Sequence, residues 1–197
     1  MKRLRVKISY LLKGKKMSKK LEELIAKDEA LQIVEKELSP LLKSIKLDVP
    51  TTSKAHEQIL QQALKFDYDK KYQEALPLFL ELAEHHVAAG AEYAAKYYFE
   101  GLGIDKNYFE AYKMYQLGQK SGSLYCRFRI GYCLFFGLGI QKDEIKGLAI
   151  IEETAFMRLD DAIWFLVDLY TDGIYVPMDL EVADFWRAKV DFEIGDA

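Results

Sequence analysis

The chain has 197 residues, half of them hydrophobic, with 13 tyrosines, 11 phenylalanines and only 4 prolines. That is enough for one sizeable core or one short repeat array, and it excludes a proline-rich or low-complexity linker protein. The net charge of −3 is unevenly placed: residues 1–20 hold nine basic side chains and no acid, and the rest sets 19 basic residues against 31 acidic ones, a body charge of −12. Such a body disfavours nucleic acid and favours a basic partner, although plain solubility needs no partner at all.

The opening segment, MKRLRVKISYLLKGKK, has a basic start, but its apolar run from Ile8 to Leu12 is short and no small-residue cleavage site follows. A secretory signal is not expected, and no stretch approaches the ~18 apolar residues of a membrane span. Residues 1–17 read as a disordered basic tail, and Met17 is a plausible true start with Ser18 as N-cap. Residues 18–38 place Leu21, Leu24, Ile25, Leu31, Val34 and Leu38 near a period of 3.6, which predicts an amphipathic helix ended by Ser39-Pro40. KLDVPTTSK, at 46–54, is the best linker candidate, so that 18–54 forms an N-terminal segment and 55–197 a repeat domain.

Beyond the linker the pattern is helical pairs, with helices predicted over 55–66 and 70–88. Then EGLGIDKNYFEAY at 100–112 is echoed by FGLGIQKDEIKGL at 136–148. Shifting by 36 residues aligns Gly101, Gly137 and Gly173; Tyr98, Leu134 and Tyr170; Ile104, Ile140 and Val176; and Ala111, Gly147 and Ala183. The physical reading is a hairpin of two helices. Glycine ends the first helix, the apolar residue after the turn tucks under the pair, and the small residue allows close approach. Asp105 and Asp143 stand where they could cap the second helix.

These residues carry a resemblance. The spacing of Ala, Leu-Gly, Tyr and Gly-x-Gly over 90–193 is similar to that of Sel1-like repeats, and Phe66, Tyr72, Ala75 and Phe79 resemble the related tetratricopeptide repeat. The resemblance implies an all-α, right-handed α-solenoid of about four hairpins, one tetratricopeptide-like and three Sel1-like, preceded by the N-terminal helical segment. The third copy departs from the pattern, with Tyr175 at the second glycine and Pro177 in the turn. Secreted members of the family pair cysteines across helices. Here Cys126 and Cys133 are seven apart, about 10 Å along a helix axis, too far to bridge each other. They read as buried thiols of a cytoplasmic protein.

No cofactor or metal is expected. Gly101-Leu-Gly103 lacks the third glycine and the preceding strand of a dinucleotide site, and His85 and His86 are adjacent, so on a helix they diverge. No catalytic constellation is present either. The resemblance implies instead a protein–protein adaptor or scaffold, whose first helices line a concave, acid-rimmed groove. On the matching columns the first copy offers Glu92, Tyr93, Lys96 and Phe99. The second offers Phe128, Arg129, Tyr132, Phe135 and Phe136, and the third Trp164, Phe165 and Asp168. Aromatics grouped with arginine have the composition of an interface anchor. The expected partner is a protein or peptide, with basic ones favoured, and neither nucleic acid nor membrane. A narrower alternative is a bacterial immunity protein that covers a basic toxin. Others are an enclosed ligand or enzyme pocket, and self-association through 18–45.

Overall fold

A computed structural model describes residues 17–44 and 53–190, apart from the side chains of 38 and 40–44. The basic residues 1–16 and the linker positions 46–52 lie outside the described residues. Among those described there are nine helices and no strand: α1 (Lys19–Ser44), α2 (Lys54–Tyr68), α3 (Tyr72–Glu84), α4 (Ala88–Glu100), α5 (Tyr108–Lys120), α6 (Leu124–Phe136), α7 (Glu144–Phe156), α8 (Asp160–Asp172) and α9 (Leu180–Val190). The chain divides into two compact units, one of Val49–Ile163 and one of Met1–Asp48 with Trp164–Ala197.

The unit of Val49–Ile163 stacks the hairpins α2/α3, α4/α5 and α6/α7, each helix packing on the next in sequence. Phe79, Leu82 and Tyr97 centre one buried cluster, and Tyr115, Cys126, Ile130 and Cys133 a second. Full burial of such side chains is worth ~1.5–3 kcal/mol each, which these 13-residue helices need because isolated helices of that length are marginal.

The hairpin turns repeat in detail. Gly101 and Gly137 end α4 and α6 in the left-handed region, at φ 75° and 73°. The cap of each following helix is tied back to the first: the Asn107 N–H donates to the Tyr98 carbonyl and the Asp143 N–H to the Leu134 carbonyl, both at 2.8 Å. Asn107 then accepts from the N–H groups of Phe109 and Glu110, and Asp143 from that of Lys146. Asp143 is therefore a cap, as expected, but Asp105 is not. Asn107 holds that position, because the cap must stand just before the first helical residue, Tyr108. Ile140 also departs from expectation: it is 38% exposed, not tucked under its pair.

A second turn class joins one hairpin to the next, again at intervals of 36. His86, Gly122 and Arg158 all have positive φ, at 58°, 90° and 68°. Each is followed by an N–H that reaches back five residues: Val87 to Leu82, Ser123 to Gly118 and Leu159 to Thr154. Close helix contacts follow the small residues. A Cβ on Gly147 would lie 2.5 Å from the Phe135 nitrogen, and one on Gly118 would lie against Cys126 Sγ.

In the other unit, α1 begins with Ser18, whose Oγ accepts from the Leu21 N–H at 3.2 Å. The helix continues through Pro40 to Ser44, past the predicted end. Proline withholds one N–H from the ladder, yet its fixed φ suits a helix. Leu21 and Leu24 are buried, whereas Leu31 and Val34 are 44% and 49% exposed, so only the first half of the predicted apolar face is covered. Asp28 and Lys189 form a buried ion pair between α1 and α9 at 2.7 Å. Gln32 also donates to Asp28, and the Lys189 ammonium lies 4.6 Å from the centre of the Phe185 ring. The third turn keeps the hairpin geometry without its second glycine: Gly173 has φ 65°, the Asp179 N–H donates to Tyr170, and Asp179 accepts from the Val182 N–H. Tyr175 is exposed and has no positive φ.

Candidate functional site

Tyr93 and Lys96 stand on α4, and Tyr125, Arg129, Tyr132 and Phe136 on α6, the first helices of two successive hairpins. Tyr93 and Arg129 occupy the same column, 36 residues apart, as do Phe79 and Tyr115 beneath them. Tyr93 stacks flat on Phe79, with centroids 4.6 Å apart and planes 7° apart. One repeat later Arg129 takes the place of that ring. Its guanidinium lies 4.3 Å from the centre of Phe99, 4.9 Å from Tyr132, 5.3 Å from Tyr115 and 6.0 Å from Tyr125. Arg129 Nε donates to the Tyr115 hydroxyl at 3.1 Å. The fold accepts an aromatic ring at this column, so the charge is an addition to what packing asks for. Cation–π contact is worth ~0.5–2 kcal/mol and holds the planar group flat on its aromatic bed.

The aromatics continue along α6. Tyr132 meets Phe136 at 4.7 Å and Phe128 at 6.3 Å, and Phe136 meets Phe135 edge-on at 4.9 Å. Of the expected contact residues in this unit, Tyr93, Arg129, Tyr132 and Phe136 are half-buried and Lys96 is exposed. Phe128 and Phe135 are 5% and 3% exposed, which overturns their assignment as contact residues: they are core. A 3.6-residue period marks a stripe but not its edges, and both sit where the stripe turns inward. Trp164, Phe165 and Asp168 belong to the other unit, where Trp164 is 44% exposed, Phe165 half-buried and Asp168 exposed.

Neither Tyr125, on this surface, nor the buried Tyr115 that meets Arg129 was foreseen. Tyr115 sits on a second helix, in a column that is otherwise Phe79 and Ile151, and nothing in the column signals that its hydroxyl meets Arg129. Burial pushes the pKa of both tyrosines up, with Arg129 opposing. Beside Tyr125, an open pocket of about 270 Å³ is lined by Glu92, Tyr93, Lys96 and Tyr125. Glu92 is pinned there by the Ser123 hydroxyl, which donates to it at 2.5 Å while accepting from the Cys126 N–H. Among the described residues no group of three or more His, Cys, Asp or Glu side chains converges as a metal site would require. His56 and His85 stack at 4.7 Å, and His86 lies in the left-handed turn. Cys126 and Cys133 are both free and buried.

No protein-family model matches the chain. Over 73 residues it is 29% identical to chitin synthase regulatory factor 3 of Schizosaccharomyces pombe (strain 972 / ATCC 24843), a match that takes in 37% of this chain and 8% of that protein. Among solved structures it is similar to a Sel1 repeat protein from Oxalobacter formigenes, with a TM-score of 0.58 and 24% identity over 68% of this chain and 56% of that one. It is also similar to a protective antigen of uropathogenic Escherichia coli strains that displays an SLR fold, with a TM-score of 0.53 and 20% identity over 68% of this chain and 32% of that one. The chain thus spans about half the length of the first of these solved proteins and about a third of the second. Helical hairpins at a constant 36-residue interval, together with these two likenesses, give this chain the Sel1-like repeat fold.

Proposed function

We propose that this protein is a non-enzymatic interaction module, an adaptor or scaffold, that holds a protein or peptide partner on the face shared by α4 and α6. The observation that carries this reading is the set of half-exposed side chains Tyr93, Tyr125, Tyr132 and Phe136 on the same two helices as Arg129, with Tyr125 and Tyr132 against its guanidinium. Aromatics and arginine on a rigid backbone lose little conformational entropy on binding and bury much area. In the other unit Trp164, with Phe165 and Asp168, offers a separate exposed anchor. The acidic body favours approach by a partner of net basic charge and disfavours nucleic acid. Among the described residues no helix is long and apolar enough to cross a membrane. Two free buried cysteines accord with a reducing compartment such as the cytoplasm. A curated relative is named as a regulatory factor, which accords with a role exerted by binding.

The test is position-specific photo-crosslinking in the source organism. A benzophenone side chain at Phe136 is expected to capture a discrete protein, and one at Ile145, 86% exposed on α7, is not. Equal capture at both positions, or capture at Ile145 alone, would contradict the assignment of the face.

A further inference from the structure

No carboxylate of the described residues pairs directly with Arg129. Its Nε is used by the Tyr115 hydroxyl, and its remaining contacts are the faces of Phe99, Tyr132, Tyr115 and Tyr125. Among the described residues the terminal nitrogens make no hydrogen bond, and the side chain is half-buried, not enclosed. A half-buried guanidinium normally takes a carboxylate through its two parallel N–H donors, because partial desolvation makes an unbalanced charge costly. The aromatic bed fixes the plane of this group, so its donor edge is already oriented. Lys96, one turn along α4 from Tyr93, lines the open pocket and has no ion pair among the described residues.

We infer that Arg129 is the anchor for a single aspartate or glutamate side chain of the partner, carried on a segment that passes over the α4/α6 face. This rests on that face being the partner surface. The surrounding charge limits the ligand to one carboxylate. Glu100 and Asp161 lie close enough to Tyr125 to act on its hydroxyl, and Arg129 meets that same ring. An acidic run would meet these two carboxylates, whereas one acid flanked by neutral or basic residues meets Arg129 and satisfies the acidic body as well. The site is therefore selective through repulsion as much as attraction.

The experiment is selection of random dodecapeptides against the full-length protein and against Arg129→Gln, with one library internal to a carrier and one with free C-termini. Arg129→Lys, which keeps the charge and loses the fork, is the companion variant, and all three proteins are first matched for helical circular dichroism. From the internal library, wild type is expected to enrich peptides with one acid at a fixed position flanked by non-acidic residues. A synthetic peptide of that sequence should bind Arg129→Gln at least about tenfold more weakly, the size of effect a charge-assisted hydrogen bond gives. Arg129→Lys should fall between the two. Enriched peptides lacking an acid, or unaffected by Arg129→Gln, would overturn the carboxylate anchor and leave the interaction face standing. Enrichment only among free C-termini would overturn the side-chain assignment. No enrichment from either library on the wild type would overturn the anchor and the face together.

Discussion

The left-handed turn positions show how much of this fold is decided by single residues. Gly122 has φ 90° with nothing within 4 Å of where a Cβ would be, so Gly122→Ala pays only the conformational cost of ~1–2 kcal/mol. Gly139 has φ 70°, but its Cβ would fall 2.1 Å from the Tyr108 carbonyl oxygen, so Gly139→Ala adds a backbone clash worth at least ~1 kcal/mol more. His86 and Arg158 pay the left-handed cost already, and His86→Gly and Arg158→Gly should each gain ~0.5–1 kcal/mol. Urea unfolding of the four variants checks the order, and a Gly122→Ala loss equal to that of Gly139→Ala would refute it. The thiols give a pH prediction at the same scale. Burial pushes Cys126 from its ordinary 9.0 up to about 12 and Cys133 up to about 11. Both are neutral thiols in the fold and ionise more readily unfolded. Their contribution to stability is therefore whole below pH 9 and is lost as pH rises from 9 towards 12. Tyr97 and Tyr115, also raised by burial, extend the loss in the same direction. Equilibrium unfolding from pH 7 to 11 should show stability flat at first and falling above 9, and alkylation at pH 8 should need denaturant.

At the scale of the element, the repeated helices were legible and the isolated one was only half so. The 36-residue interval located every Gly-closed hairpin, because turn chemistry and close packing demand the same residue classes at each pass: Gly101, Gly137 and Gly173, then Ala111, Gly147 and Ala183. The joining turns escaped notice because two of their three left-handed positions are His86 and Arg158, not glycine. The aromatic face was legible as a column, but its depth was not, since whether Phe128 or Tyr132 turns outward depends on neighbours that periodicity does not name. The Asp28–Lys189 pair was invisible for another reason: its members lie 161 residues apart and α1 has no counterpart in the repeat. It fixes α1 against α9 through a buried charge, so Lys189→Met, which leaves Asp28 without that cation, should cost ~3–5 kcal/mol. The double variant Asp28→Leu/Lys189→Met should recover most of that loss. Additive losses in this double-mutant cycle would show that the two side chains do not act as a pair.

At the scale of the whole molecule, the repeat fold supplies the helical hairpins, and the proposed function lies in the side chains that the hairpins do not need. Tyr93 and Arg129 share a column and differ in chemistry, and the proposed recognition rests on that difference. Hydrogen–deuterium exchange of the full-length protein, alone and with the partner captured at Phe136, tests this most directly. Protection centred on α4 and α6 within Val49–Ile163 and lost on Arg129→Gln is the predicted result. Protection centred on α5 and α7, or unchanged by Arg129→Gln, would contradict it.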